Sequence, residues 1–448
     1  MTLKTEPPQT STLPVYKLPP VFETRLENGL VVLLIEDRRL PMVTARLGFE
    51  AGSKYDPPEL RGLSETTAAL LTEGTTHRGS RQLAEEVATI GGTLHADSSP
   101  DSLLLAGSVL AENLPQFLDL LSDVSRNAAF PEDEVALRKE NRKQELAAER
   151  AEAAFLADEK FAEAVYGSHP YARQDPTPES IDRLSRGALA GFRDRYLVPN
   201  SAVLVLLGAL PEQSAVMELI AARFGDWCRQ QPPTAPAEKP PAPRRTIVLV
   251  DRPGSVQADI RIGRLAVTRS DPDYFPLLVG NTILGGGAAS RMFSNIREKH
   301  GFAYDAHSTT MPLEDFGAFG AVTQVRNEVL APAIEAVQAE LRRIAGEDVS
   351  AAELDAAKNY LSGVFVMRIE TQDGLASQIA AVKLLGLPLE YLEKYTLRIR
   401  AVEASQIRAA AAKYVAPEAA SIVVVGDASA LAGDLERFGE ISIVKAEE

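Results

Sequence analysis

Cysteine is nearly absent from this chain. The single Cys228 excludes an internal disulfide and any cysteine-ligated metal cluster. It stands beside Trp227, the only tryptophan, and is expected to be a packed, inert thiol. No run of 18 apolar residues occurs, so no membrane-spanning helix is expected. Basic residues are outnumbered: 47 Lys and Arg against 62 Asp and Glu give a formal charge of −15. That excludes the basic footprint of a nucleic-acid binder. It reads as solubility, with attraction of basic peptides the weaker alternative. The opening MTLKTEPPQTSTLPVYKLPP lacks the apolar core of a signal peptide. The cytoplasm is the expected compartment, or the periplasm if a leader has been removed. Histidine is scarce too. His77, His95, His169, His300 and His307 include no pair at i, i+3 or i, i+4, so no helix offers two imidazoles to one metal. A nucleophile elbow, a Walker loop and a dinucleotide fingerprint are all missing; LGGGAASR has three glycines but no Lys-Ser/Thr pair.

What is present is organised. The 448 residues are 45% hydrophobic and 24% charged, a soluble globular profile long enough for two or three domains. The stretch RQQPPTAPAEKPPAPRR, 229–245, holds six prolines and reads as a semi-rigid linker. It separates segments of similar length, 21–228 and 246–448, after an N-terminal extension at 1–20. The segments close alike, on FRDRYLVPNSAVLVLLGAL and AAAKYVAPEAASIVVVGDA. Tyr196 and Tyr414, Pro199 and Pro417, Gly208 and Gly426 share one offset of 218, which indicates a duplicated domain. Each copy reads as α+β. Asn28-Gly29 between two strand-like runs predicts a type I′ hairpin. Leu83, Val87 and Ile90 mark a helix face ended by Gly91-Gly92, and Leu330, Ile334, Val337, Leu341 and Ile344 mark a longer one. These stripes are core faces. From residue chemistry alone no complete active site emerges.

GLSETTAALLTEGT, 62–75, reads as a helix that closes on a glycine. It resembles the metal-binding helix of the pitrilysin/insulysin family of zinc peptidases. The resemblance runs from about residue 20 to 428 and is closer to the half-length, two-domain, processing-peptidase-like members. That family carries an inverted H-x-x-E-H inside a G-L-x-H-x-x-E-H-x-x-x-x-G-T frame. Here Gly62, Leu63, Gly74 and Thr75 keep the frame, while the three chemical positions are Glu65, Ala68 and Ala69. Ala69 removes a metal ligand and Ala68 the general base. The downstream third ligand position falls on Glu145, which on an acidic helix reads as a solvated face. In the second segment, IREKHGFAY supplies the family's Arg and Tyr at Arg297 and Tyr304, after the Gly-rich turn at Gly285, Gly286 and Gly287. GGTLHADSS, 91–99, partly matches the family's substrate-pairing strand, with His95-Ala96 in place of Asn-Ala; a surface histidine on an exposed strand is expected there.

The resemblance implies two mainly antiparallel sheets covered by helices, forming half of a clamshell. It also implies a division of labour. This chain would be the metal-free subunit of a heterodimer, with no cofactor of its own and zinc in a paralogous partner. Arg297 and Tyr304 would bind the peptide backbone and stabilise the oxyanion, and Gly285–Gly287 would let the peptide pass. Peptides and the zinc-bearing paralogue are the expected partners, with no nucleic acid and no membrane. The alternatives are a non-enzymatic scaffold or peptide-holding protein of the same fold, and an active homodimer with an unrecognised metal site.

Overall fold

The computed structural model describes residues 16–231, 234 and 245–446. Positions 1–15 of the N-terminal extension, and 232–233 and 235–244 of the proline-rich linker, lie outside the described residues.

The apolar runs become two six-stranded sheets built to one plan. The first contains β1 (Val21–Arg25), β2 (Val31–Glu36), β3 (Met42–Phe49), β4 (Thr93–Ser98), β5 (Leu103–Leu110) and β6 (Ala202–Gly208), in the order β1-β2-β6-β3-β5-β4. The second contains β7 (Ile247–Asp251), β8 (Gln257–Ala266), β9 (Ala306–Met311), β10 (Gly317–Arg326), β11 (Ser421–Gly426) and β12 (Ile441–Lys445), in the order β12-β7-β11-β8-β10-β9. β2 runs parallel to β6, as β7 does to β11. The pairings beyond them are antiparallel in both sheets. Only one edge differs: β1 is antiparallel to β2, whereas β12 is parallel to β7. The chain is thus α+β, with two mainly antiparallel sheets. The duplicated Pro-to-Gly segments become the equivalent strands β6 and β11, each entered through a short 3-10 turn at Pro199 or Pro417.

The first half carries α1 (Leu63–Leu70), α2 (Ser80–Thr89), α3 (Leu114–Asn127), α4 (Glu132–Ala151), α5 (Ala153–Tyr166), α6 (Pro178–Arg183), α7 (Arg186–Tyr196) and α8 (Gln213–Phe224). The second carries α9 (Tyr274–Gly285), a π-helical segment (Phe293–Lys299), α10 (Leu330–Gly346), α11 (Ala351–Glu370), α12 (Gln372–Leu384), α13 (Glu390–Glu393), α14 (Tyr395–Ala401), α15 (Ala404–Tyr414) and α16 (Ala428–Leu435). The stripe on α10 is fully buried, as its spacing predicts.

Two helices cross over. α5 of the first half packs on β8 and β11, while α12 of the second half packs on β3 and β6. Strand periodicity shows the consequence. In β6, Leu204 and Leu206 face the first half's own core, whereas Val203, Val205 and Leu207 belong to a core shared with the second half. A strand buried on both faces has no polar side, which is why AVLVLLG reads as a continuous apolar run. A buried arginine on each central sheet fastens the visiting helix. Arg46 of β3 bonds Asp373 and Ser377 of α12, and Arg261 of β8 bonds Asp158 of α5 at 2.6 Å. A third tie is Lys54, buried at the end of the β3 loop. Its ammonium reaches Glu314 at 2.7 Å and Asp315 at 3.3 Å in the β9–β10 turn, and Asp101 of the first half at 3.2 Å.

Two local expectations change. The β1–β2 hairpin does not use a two-residue type I′ turn. The Leu26 N–H donates to the Leu30 carbonyl and the Gly29 N–H to the Leu26 carbonyl, giving a three-residue loop with Gly29 at φ 95°. Asn28 is diverted: its amide donates to the Phe224 and Trp227 carbonyls. Cys228, expected to be packed, is exposed, because Trp227 alone fills the niche beside Phe49 and Phe224.

Candidate functional site

The site is built from α1 upward. Gly62 holds φ 86°, which favours glycine, and lets the chain turn sharply into the helix. Asp56 caps the start. Its carboxylate accepts from the Gly62 N–H at 3.1 Å, the Ser64 N–H at 2.9 Å and the Ser64 hydroxyl at 3.2 Å. Burial pushes the Asp56 carboxyl up to about 7, against the pull of those donors. The helix stops at Leu70, earlier than the glycine at 74 suggests. The chain there enters a tight turn, in which Gly74 at φ 109° bridges Gly79. Thr75 donates its hydroxyl to Asp123 of α3 at 2.7 Å. The frame residues are therefore accounted for by architecture: one glycine starts a helix, one shapes a turn, and the threonine ties that turn to α3.

The chemical positions are arranged differently. Ala68 is buried and Ala69 partly so, and neither offers a donor atom. Glu65 of α1 and Glu145 of α4 come together, but around a guanidinium. Arg138 donates to Glu65 at 3.0 Å through one terminal nitrogen, and to both Glu145 oxygens at 3.1 and 3.2 Å through the other. One turn further on, Arg142 is buried. Its Nε makes an ionic contact with the same Glu65 oxygen at 3.0 Å, not aligned as a hydrogen bond, and its Nη1 donates to Glu149 at 2.9 Å. Asp175 lies within the electrostatic field of this cluster. Burial first, then the charge of Glu159, push its carboxyl up to about 6, while Arg142 pulls it down. These residues do not fit zinc. The two carboxylates are already neutralised, and the other two positions are methyl groups. Among the described residues no group of three or more His, Cys, Asp or Glu is placed to hold a metal ion. Glu145 is exposed, as its acidic helix suggested, but it is paired with Arg138 rather than facing water alone.

Arg297 and Tyr304 are brought together in the second half. Arg297 lies on the π-helical segment, a winding often found at functional sites. Its guanidinium sits 4.6 Å from the Phe293 ring and 4.6 Å from the Tyr304 ring, held between two aromatic faces. Among the described residues it makes no ion pair, unlike Arg138 and Arg142. Tyr304 is 83% exposed. It lines a cavity of about 620 Å³ between α5 and the β8–β10 face, together with Asp158, Asp259, Asp305 and His307. Ring contacts do not occupy the N–H donors of the guanidinium, which stay available.

The glycine turn divides. A Cβ on Gly285 would sit 2.2 Å from the Ser308 backbone nitrogen, and one on Gly286 would sit 2.6 Å from Thr282 Cα. Gly285 is needed for the close packing of α9 on β9, whereas Gly286 fits against the last turn of α9 itself. Gly287 has nothing within 4 Å and opens onto a cavity of about 370 Å³ walled by Ile283, Ala357 and Tyr360. β4 forms the outer edge of its sheet, and His95 on it is exposed, as expected.

Sequence reasoning missed Arg138 and Arg142. Their i, i+4 spacing on the helix that carries Glu145 was the available signal. It places both guanidinium groups on one helix face, with Glu145 and Glu149 seven residues beyond each.

Comparisons with known proteins agree with this architecture. Residues 31–178 match the family model described as Insulinase (Peptidase family M16), and residues 183–361 match the one described as Peptidase M16 inactive domain. An uncharacterized zinc protease of Streptomyces coelicolor is 24% identical over 397 residues, 87% of this chain and 86% of that protein. One from Rickettsia bellii is 27% identical over 347 residues, 75% of this chain and 81% of that protein. The crystal structure of a peptidase M16 inactive domain from Pseudomonas fluorescens matches with a TM-score of 0.85 at 28% identity, over 92% of this chain and 99% of that one. A protease from Helicobacter pylori shares the fold, with a TM-score of 0.82 at 20% identity over 92% of this chain and 100% of that one. Two domain matches in series, the repeated sheet plan and relatives of similar length lead to one assignment: the chain belongs to the M16, insulinase-like, peptidase family as a half-length member.

Proposed function

We propose that this chain is the metal-free subunit of a heterodimeric M16 peptidase and supplies Arg297 and Tyr304 to substrate bound on a zinc-bearing paralogue. The observation that carries this reading is the contrast in arginine environments. In a strongly acidic chain, Arg297 is oriented by two rings and lacks a carboxylate partner, so its donors remain free for a group from outside. A fixed planar donor set beside an exposed phenol suits a peptide carbonyl whose oxygen gains negative charge during hydrolysis. Gly287, the open member of the glycine turn, leaves room for an extended peptide to pass. The ion belongs to the partner; this chain binds and orients.

The test is reconstitution. The chain is co-expressed with a paralogue bearing an intact H-x-x-E-H, and peptide cleavage is measured for each chain alone and for the pair. The pair should cleave and this chain alone should not. Cleavage by the isolated chain, or a pair no faster than the paralogue alone, defeats the reading. The second of these outcomes would favour a scaffold or peptide-holding role.

A further inference from the structure

We infer that the Arg138 guanidinium is the resident cation of the site between α1 and α4, and that with Arg142 it excludes a divalent ion independently of the alanines at 68 and 69. Glu65 and Glu145 stand where the family frame places two metal ligands, on two different helices. A single guanidinium spans them, with one terminal nitrogen on each. Arg138 belongs to α4 itself, so it ties α4 to Glu65 of α1 while holding Glu145 of its own helix, and its positive charge occupies the space between the two carboxylates. Its planar fork matches two carboxylates, and its charge is permanent. Arg142 secures the arrangement. It is buried, contacts the Glu65 oxygen and is held by Glu149. A zinc ion entering the gap would have to displace one guanidinium and lie beside the buried other, with like charges adjacent. Loss of metal binding is thus fixed twice, once by missing ligands and once by an installed cation.

This inference does not depend on a partner subunit. The proposed function fails in a mixing assay, whereas this inference fails in a metal-binding assay on the single chain. The first variant restores the ligands and base: Glu65→His, Ala68→Glu and Ala69→His, with Glu145 kept. The second adds Arg138→Met and Arg142→Met. Both are dialysed against chelator-buffered zinc and analysed for bound metal, with circular dichroism to establish folding. The three-change variant should hold little zinc, and the five-change variant should approach one ion per chain, with an affinity about 100-fold higher or more. Equal zinc affinity in the two, or a folded five-change variant that binds no better, overturns the inference. Should the five-change variant fail to fold, Arg138→Met alone, added to the three changes, makes the same comparison at a less buried position, and equality there overturns it in the same way.

Discussion

The two halves place a helix beside the outer strand of the sheet, α1 beside β4 and α9 beside β9, yet their charged groups face different things. In the first half the charges face one another. Glu65, Glu145 and Glu149 are met by Arg138 and Arg142, and each of the five has an opposite charge as partner. In the second half the charge faces outward. Arg297 rests on Phe293 and Tyr304, and rings do not neutralise it. The difference teaches how to read an arginine in a duplicated fold. One matched by carboxylates holds structure together, whereas one held by rings retains its hydrogen-bonding capacity.

Substitutions can break that comparison. The largest effect is expected at Arg297. Arg297→Ala should lower peptide cleavage by the reconstituted pair by about 10²–10³-fold, the usual loss for one oxyanion donor, while circular dichroism stays unchanged. Tyr304→Phe should act in the same direction. Unchanged cleavage in both would mean that the ring-held cation has no catalytic duty. Lys54→Met is the converse experiment on an enclosed cation. Burial disfavours the Lys54 charge, but the hydrogen bond to Glu314 and the fields of Asp101, Glu314 and Asp315 outweigh it and raise its pKa. Losing that centre leaves three carboxylates close together without their cation, so denaturant unfolding should show a loss of about 3–5 kcal/mol.

Smaller effects sharpen the contrast. Asp175 is pushed up to about 6 from an ordinary value of 3.8, chiefly by burial. A raised carboxyl contributes stability that is fully present below its unfolded pKa and lost as pH rises through the folded one. Asp175→Asn should therefore stabilise the chain near pH 8 by up to about 3 kcal/mol and change little near pH 4. Melting curves at the two pH values measure this, and an equal shift at both would refute the assignment. The glycine turn gives the smallest effect. Gly287→Ala, in open space and without positive φ, should stabilise by about 0.4–1 kcal/mol. Gly285→Ala should instead destabilise by about 1–3 kcal/mol through its clash with Ser308. Thermal melts of the two variants should move in opposite directions.

Much of the fold was legible in residue order. The shared offset of Tyr196, Pro199 and Gly208 with their counterparts identified β6 and β11 as equivalent strands, because a Pro turn and a terminal glycine punctuate a strand by backbone geometry. The crossing of α5 and α12 was not legible. Amphipathic spacing states that a helix has a buried face, not which sheet receives it. At the site, the alanines at 68 and 69 announced missing donors directly. What filled the gap depended on Arg138 and Arg142, whose pairing with Glu65 spans 73 residues for Arg138 and joins separate helices. Cys228 was misread for a similar reason: adjacency to a buried tryptophan does not fix which side of the chain a neighbour faces.

The exchange of helices also governs how the molecule moves. Without α12, the first sheet would bare Leu33, Ile35, Val203, Val205 and Leu207, which face the shared core. At about 2 kcal/mol each, the penalty of about 10 kcal/mol matches the whole net stability of a typical domain. Neither half is a rigid body free to swing against the other, because each carries the other's inner wall. Any gate that admits a peptide to an assembly containing this chain must then hinge where separate polypeptides meet, with this one travelling as a single block.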